Sequence, residues 1–321
     1  MGKRSRDKAR QNAAQNAAAS PDGVSPRQPC PCGSGLRYRS CHGSATGAPP
    51  RLVTRPFAGL AAECDLVALR ELVPAATAPL PLVTPGERDV LLATLLPVAA
   101  PAMVRDNGTV WLGLQVQHAY GDPSRDLGAV LEAALVAEPG QMVGLTDAPG
   151  EGPRLQELVV DEPLDITVHE GFEYWIADVD DDSSGVAAAL EQANQVASPT
   201  ARLTSVTAAY WTAMGSKEHL RWVMPHDEEV LLSALARLHL AGEDRLVADS
   251  RLVGMFRAHS LLAPVWDLPA GTGAEVLEEP AARFATALDE AMTALTEGAE
   301  PLTTEERSAR HGLANRQVTI R

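Results

Sequence analysis

Residues 56–321 show one recurring arrangement of apolar and polar positions, in which two strand-like runs precede an amphipathic helix. Short apolar runs separated by turn signals such as Asp106-Asn107-Gly108 are typical of β-hairpins. The sequence therefore predicts three antiparallel hairpins. In chain order the paired runs are VLLATLLP (90–97) with TVWLGLQV (109–116), TSVTAAYW (204–211) with HLRWVM (219–224), and RLVGMF (251–256) with LLAPVWDL (261–268).

A helix is predicted after each hairpin. Asp122 and Pro123 suit the N-cap and the first position of the first helix, and the second helix is expected to begin near Pro225. Apolar residues recur every three or four positions, as one face of a helix requires. These residues are Leu127, Leu131 and Leu135, then Leu231, Leu235 and Leu238, then Phe284, Leu288, Met292 and Leu295.

Further elements are predicted between and after these units. LDITVHEGFEYWI (164–176) indicates additional strands, and residues 183–196 indicate a helix. Thr303 to Glu306 match a capping box, which predicts a helix start, and Gly312 predicts the end of that helix. QVTI (317–320) is predicted to form an edge strand.

These patterns together predict an α+β fold with mainly antiparallel sheets, which are built from strand-strand-helix units and covered by helices. The tryptophan residues are expected to lie in the core. The predicted body spans 56–321, and a division into two subdomains near residue 160 is left open. The sequence does not decide whether the units are true repeats.

The first 55 residues differ from the body in charge. They contain ten basic and two acidic residues, a balance of +8, whereas the whole chain has a net charge of −15. Residues 1–27 have no apolar periodicity and are predicted to be a disordered basic arm. Residues 45–55 have the small residues and prolines of a linker. The acidic body argues against wrapping nucleic acid, whereas the basic arm suits an anionic partner.

Nothing in the sequence indicates export or membrane insertion. The start MGKRSRDKAR runs into polar, alanine-rich residues without the apolar segment of a secretory signal. The apolar run 90–104 contains two prolines and is shorter than the roughly 20 residues that span a bilayer. We therefore expect a cytoplasmic protein without a membrane span.

The segment CPCGSGLRYRSCH (30–42) contains three of the four cysteines. Cys30 and Cys32 would face the same way in an extended strand, glycines allow a tight turn after them, and Cys41 and His42 can close the other side. Three thiolates and one imidazole make the closed tetrahedron of structural zinc. The sequence predicts one Zn²⁺ in a knuckle spanning 28–44.

This segment resembles the SEC-C motif, which is best known at the C-terminus of the preprotein translocase ATPase SecA. The matching residues are Cys30, Pro31, Cys32, Gly33, Ser34, Gly35, Tyr38, Cys41, His42 and Gly43. The resemblance implies that Cys30, Cys32, Cys41 and His42 are zinc ligands. Because the element contacts the chaperone SecB in SecA, the resemblance also implies protein docking, with Arg37, Arg39 and Tyr38 facing a partner.

The body shows a second resemblance. RPFAGLAAECDLVALRELVPAA (55–76), HLRWVMPH (219–226) and APVWDLPAG (263–271) are similar to an actinobacterial family that joins a SEC-C motif to a domain of unknown function. This similarity extends over most of the body and implies no activity.

Five other segments carry candidate chemistry, and each has a simpler structural explanation. Leu158 to Glu162 resembles part of a nucleotide-hydrolysis site but lacks a phosphate-binding loop. Asp178 to Asp182 lacks the glycine and glutamate of a calcium loop. His226 to Glu229 suits a helix start, His169-Glu170 lacks a second histidine, and Cys64 lies in an apolar helical context. The sequence thus predicts no catalytic residue.

The leading hypothesis is a zinc-binding cytoplasmic adaptor whose knuckle docks a protein or ribonucleoprotein partner, with a link to protein export or translation. Two alternatives remain open. The arm and knuckle could bind RNA directly, or the body could be an enzyme of unknown class.

Overall fold

The computed structural model describes residues 25, 27–29, 37–40, 52–116, 120–177, 184–297 and 301–319. The chain forms two compact units, residues 1–52 and 53–321. Most of the predicted basic arm lies outside the described residues. In the first unit, Pro29 and Arg37 form an antiparallel bridge, and a 3-10 turn at Tyr38–Ser40 follows.

The second unit contains two mixed sheets of six strands each among its described residues. The first sheet has the order β5-β3-β4-β2-β1-β6 and the second β12-β10-β11-β9-β8-β7. The strands are β1 Ala76–Pro79, β2 Val90–Ala93, β3 Ala102–Val104, β4 Val110–Gly113, β5 Met142–Val143, β6 Thr167–Val168, β7 Thr200–Arg202, β8 Ala209–Met214, β9 Lys217–Trp222, β10 Arg251–Ala258, β11 Leu261–Leu268 and β12 Gln317–Thr319.

Helices lie between and after these strands. They are α1 Glu63–Glu71, α2 Pro123–Val136, α3 Leu155–Leu158, α4 Ser184–Val196, α5 Glu228–Ala241, α6 Glu278–Thr296 and α7 Thr304–Ala314. The predicted α+β class is confirmed, and so are the second and third strand-strand-helix units, β8-β9-α5 and β10-β11-α6, although β8 begins at Ala209 and not at Thr204. Each sheet includes one parallel pair, β2 with β4 and β10 with β12, and the other pairings of named strands are antiparallel.

Three apolar clusters hold the unit together. Helices α5, α6 and α7 cover one face of the second sheet, where Trp222 and Trp266 meet Phe284. The other face of that sheet shares a core with α1, α2 and the first sheet. On the far face of the first sheet, Trp111 and Trp175 belong to a smaller aromatic cluster. These four tryptophans are buried, as the sequence predicts, whereas the fifth, Trp211, is only partly buried at the edge of the second cluster.

The first predicted hairpin is wrong in one strand. The run 90–97 forms β2, which pairs with β4 in parallel, and the antiparallel partner of β4 is the short β3. The turn after Arg105 closes through hydrogen bonds from Gly108 N–H to Arg105 O and from Arg105 N–H to Thr109 O. So tight a turn can join only the strands that immediately flank it. The longer connection from β2 to β4 permits the parallel pairing.

The C-terminal predictions are confirmed with one exception. Thr303 caps α7 through the Glu306 amide, and the Glu306 side chain accepts from Thr303 N–H, which completes the capping box. β12 lies at the edge of its sheet, parallel to β10. Gly312 does not end α7, because the helix continues to Ala314 and buries Leu313 in the core. That burial offsets the weak helix propensity of glycine.

Glu218 on β9 organises the loop that leads from β11 to α6. Its carboxylate accepts hydrogen bonds from the amides of Gly271 and Gly273 and from the Trp211 indole. Both glycines have positive φ, which aims their amides at this side chain. Burial opposes ionisation of Glu218, but the hydrogen bonds from Gly273, Gly271 and Trp211 outweigh it and lower its pKa.

Glu218→Gln is expected to destabilise the protein more near neutral pH than in acid. Because the folded-state pKa of Glu218 is lowered, its ionised form stabilises the fold above the unfolded value of about 4.3. That contribution is lost as the pH falls through the folded pKa. Urea unfolding at about pH 7 and about pH 3 measures the difference. Glu279→Gln, on the exposed face of α6, is the control and should show no such dependence. Equal destabilisation by Glu218→Gln at both pH values would contradict the assignment.

Candidate functional site

The predicted zinc ligands Cys30, Cys32, Cys41 and His42 lie outside the described residues. The residues that flank them are described on both sides of the loop. The amide of Tyr38 donates to the carbonyl of Gln28 at 2.8 Å, beside the bridge from Pro29 to Arg37. This pairing joins the segment before Cys30 to the segment that leads to Cys41. Within the described residues, no group of three or more His, Cys, Asp or Glu side chains could hold a metal ion.

The side chains around this turn correct one expectation. Arg37 and Arg39 are exposed, as the prediction of a partner surface requires. Tyr38 is only 4% exposed and therefore does not face a partner. A phenol ring between two arginines carries enough apolar area to be buried while its neighbours remain in water.

Two of the acidic candidates have structural roles. Asp161 accepts a hydrogen bond from the amide of Ala61, just before α1. Asp227 caps α5 by accepting from the amides of Glu229 and Val230. These carboxylates complement helix N-termini, where the backbone dipole favours negative charge. The calcium-like segment Asp178 to Asp182 lies outside the described residues.

Burial shifts the pKa values of both Cys64 and His169. Burial raises the pKa of the Cys64 thiol to about 12, and the negative charges of Glu63 and Asp65 add to this effect. A thiol with so high a pKa is a poor nucleophile at neutral pH. His169 lies 2.8 Å from the Thr77 hydroxyl and packs on the Tyr174 ring, and burial lowers its pKa.

A cleft between the two sheets brings together polar residues that the sequence does not connect. It has a volume of about 190 Å³ and opens between the C-terminal end of α1 and strands β8 and β9. We call it the α1–β9 cleft and define it by Arg70, Glu71, Gln115, Ser198, Thr212 and Arg221, which line it. The Gln115 side-chain amide donates to the carbonyls of Leu69 and Val73, which ties Gln115 to the C-terminal end of α1.

Charges on the α1 side of this cleft are partnered. Glu71 lies 2.8 Å from His259 Nε2 and 3.3 Å from Arg70 Nε. Arg70 also donates to the carbonyl of Leu114. Burial opposes ionisation of Glu71, but His259 and Arg70 outweigh it and lower its pKa.

Arg221 on the opposite wall has much weaker partners. Its Nη1 lies 3.5 Å from the carbonyl of Leu72, and its Nη2 contacts the sulfur of Met214. Its buried Nε has no hydrogen-bond partner among the described residues. The guanidinium lies 6.0 Å from the centre of the Phe256 ring. Burial is the cause that lowers the pKa of Arg221.

A wider groove of about 480 Å³ lies beside the C-terminal end of α5. His239 Nδ1 and Asp244 face each other there at 2.6 Å, and the Trp266 indole donates to the carbonyl of Asp244. The Ser250 hydroxyl is occupied by hydrogen bonds to the backbone of Leu246 and Val247. These groups stabilise the loop after α5 and leave no prepared nucleophile at Ser250.

Sequence reasoning missed the α1–β9 cleft. The only signal was alternation in HLRWVM, which places Arg221 on the strand face opposite the buried Leu220 and Trp222. Alternation shows which face a side chain occupies. It does not show which groups from distant segments surround that side chain.

Family models match both the cysteine segment and the body of the chain. A family model described as the SEC-C motif matches residues 27–44, as the resemblance of the cysteine segment implied. Comparisons with curated proteins and with solved structures find no match. Among the described residues, no helix has both the length and the apolar character needed to cross a membrane. A second family model, described as a family of unknown function (DUF5926), matches residues 56–321, so this chain belongs to the DUF5926 family and has a SEC-C motif ahead of the family domain.

Proposed function

We propose that this protein is a zinc-binding interaction protein of the cytoplasm, linked to protein export or translation. In this proposal residues 1–27 are a basic arm, 28–44 a zinc knuckle, 45–55 a linker and 56–321 the folded body. The observation that carries the proposal is the SEC-C match at residues 27–44. A reducing compartment fits thiols that bind metal instead of forming disulfides.

The donor set of the knuckle suits one structural Zn²⁺. Cys30, Cys32, Cys41 and His42 would supply three thiolates and one imidazole, which leave no open position for a reacting water. A segment of this size cannot bury a core, so the metal would supply its folding free energy. The described pairing of Pro29 with Arg37 supports a hairpin around the first two ligands.

The same region suggests how a partner is held. Arg37 and Arg39 are exposed on either side of the buried Tyr38, so the knuckle presents cations instead of an aromatic face. The arm adds further basic residues, whereas residues 56–321 are acidic overall. We infer an acidic patch on a protein or ribonucleoprotein partner. Direct RNA binding is the second candidate, because exposed arginines also suit phosphates.

Purified wild-type protein is expected to contain one zinc ion per chain, and Cys32→Ser is expected to lose it. Elemental analysis of the full-length protein measures the metal, and thermal unfolding checks that the body still melts cooperatively. Cys64→Ala is the matched control, since it removes a cysteine of the body and should keep the zinc. Metal-free wild-type protein, or zinc retained in Cys32→Ser, would overturn the site.

Affinity capture tests the docking role. Wild-type and Cys32→Ser proteins are used as baits, with mass spectrometry for proteins and sequencing for RNA. A protein partner that is lost with the zinc supports the proposal. RNA whose retention falls steeply with salt supports the second candidate, because phosphate contacts release counterions. Identical captures by both baits would contradict a docking role for the knuckle.

A further inference from the structure

Arg221 stands out among the partly buried arginines of the body by its lack of a strong acceptor in the described part of the chain. Arg202, Arg237 and Arg257 each pair with a carboxylate. Arg88 has no such pair but donates to the carbonyls of Ala134 and Ala137 at the end of α2. For Arg221, only a distant carbonyl and a thioether lie near the guanidinium among the described residues.

A guanidinium that is taken out of water needs replacement acceptors. Burial of a charged group costs free energy unless another charge or good hydrogen bonds compensate. The Leu72 carbonyl at 3.5 Å is at the limit of a hydrogen bond, and a thioether is a weak acceptor. Arg221 therefore has a buried Nε without a partner and two terminal nitrogens with only weak acceptors among the described residues, and its side chain lines the cleft.

The rest of the α1–β9 cleft favours an anion over a cation. Two arginines and one carboxylate line the cleft, and Glu71 is paired with Arg70 and faces His259, so the charge of Arg221 is the one left without a counterion among them. The Thr200 hydroxyl gives its single proton to the carbonyl of Ser198 at 2.9 Å, so the Thr212 hydroxyl donates to Thr200 only over a long contact of 3.4 Å, which a better acceptor in the cleft would replace. Guanidinium and hydroxyl donors on one wall match the acceptors of an oxyanion.

The volume of the cleft limits what fits. Pockets that hold drug-sized ligands or cofactors have volumes of about 300–1,000 Å³, whereas this cleft has about 190 Å³. The cleft can hold a single oxyanion group, and a ligand as large as a nucleotide would extend beyond it into solvent.

We propose that the α1–β9 cleft binds one oxyanion group, a phosphate or a carboxylate, through the guanidinium of Arg221 and the hydroxyl of Thr212. The planar guanidinium presents parallel donors that match two oxygens of such a group. Arg70 also lines the cleft, where its charge is balanced by Glu71. The site lies in the DUF5926 domain and is independent of the zinc knuckle.

Ligand-dependent melting of the full-length protein tests the proposal. Inorganic phosphate and sulfate are compared with acetate and with sodium chloride at matched ionic strength. Binding to the folded state stabilises it by RT ln(1 + c/Kd) at a free ligand concentration c, so the melting temperature rises with the concentration of a ligand that binds. A shift with phosphate and sulfate alone assigns a tetrahedral oxyanion, and a shift with acetate assigns a carboxylate. A shift that sodium chloride reproduces, or no shift with any oxyanion, overturns the proposal.

Substitutions test whether Arg221 binds the oxyanion. Arg221→Gln is expected to weaken binding by about tenfold or more, as measured by calorimetry, because it removes a charge-assisted pair. Arg251→Gln, an exposed arginine of the same sheet, is the matched control and should bind like wild type. If Arg221→Gln does not fold, Thr212→Val provides the test and should weaken binding by several-fold. Unchanged affinity in the variant that folds overturns the site.

Discussion

Asp65→Ala is expected to lower the free energy of unfolding by about 3–5 kcal/mol, the usual cost of removing one member of a buried charged pair. Asp65 is 1% exposed on α1. Its Oδ1 accepts a hydrogen bond from the Tyr210 hydroxyl at 2.7 Å, and its Oδ2 accepts from Arg202 at 3.1 Å. Both partners belong to the second sheet, so this cluster joins α1 to that sheet.

The size of the effect follows from what the substitution leaves behind. Without Asp65, the Arg202 guanidinium and the Tyr210 hydroxyl lose their acceptor inside the protein. Burial and the nearby Asp65 charge raise the pKa of Tyr210, so the phenol stays protonated and needs an acceptor. A folded domain has a total stability of only about 5–15 kcal/mol, so the predicted loss is a large fraction of it.

Urea unfolding monitored by circular dichroism measures this loss. Tyr210→Phe alone should cost less, about 1.5–3 kcal/mol for a hydrogen bond to a charged group. Adding Tyr210→Phe to Asp65→Ala should cost little more, because the hydroxyl has already lost its acceptor. A loss below about 1 kcal/mol for Asp65→Ala would show that the pair does not hold α1 to the sheet.

Trp266→Ala is expected to lower the free energy of unfolding by about 3–5 kcal/mol, the usual cost of removing a large aromatic side chain from a core. Trp266 is fully buried on β11, and its ring centre lies 5.2 Å from Phe284 on α6 and 6.3 Å from Trp222 on β9. Its indole also donates to the carbonyl of Asp244 at 2.7 Å. One side chain thus links the second sheet, α6 and the loop after α5.

Thermal and urea unfolding test this prediction. Trp266→Phe keeps much of the aromatic volume and should cost less than Trp266→Ala. Val276→Ala, at a residue that is 59% exposed, is the surface control and should change the stability by less than about 0.5 kcal/mol. A similar loss in Val276→Ala and Trp266→Ala would contradict a specific role for the buried indole.

Local patterning predicted the second and third hairpins because their partners are neighbours in the chain. The strands of β8-β9 and β10-β11 are separated by two residues each, so the alternation and the turn are read from one short window. The parallel pairs β2-β4 and β10-β12 join segments that other elements separate. Packing of the whole sheet decides these pairings, and a local sequence pattern carries no information about that packing.

The two candidate sites also differ in how far apart their residues lie in the sequence. The proposed zinc ligands lie within thirteen consecutive residues, so residue types and spacing were enough to predict them. The α1–β9 cleft combines Arg70, Thr212 and Arg221, which are brought together only when α1 is buried between the two sheets. The sequence shows how many arginines the chain has, but it does not show which of them have no carboxylate partner in the fold.

The sequence by itself determined the α+β class, the SEC-C motif and the burial of four of the five tryptophans, because apolar periodicity and motif spacing are local properties of a chain. The tertiary structure decided the parallel pairings, the burial of Tyr38 and the unequal environments of the arginines. These depend on contacts between residues far apart in sequence, where burial and the available partners set the free energy of each side chain.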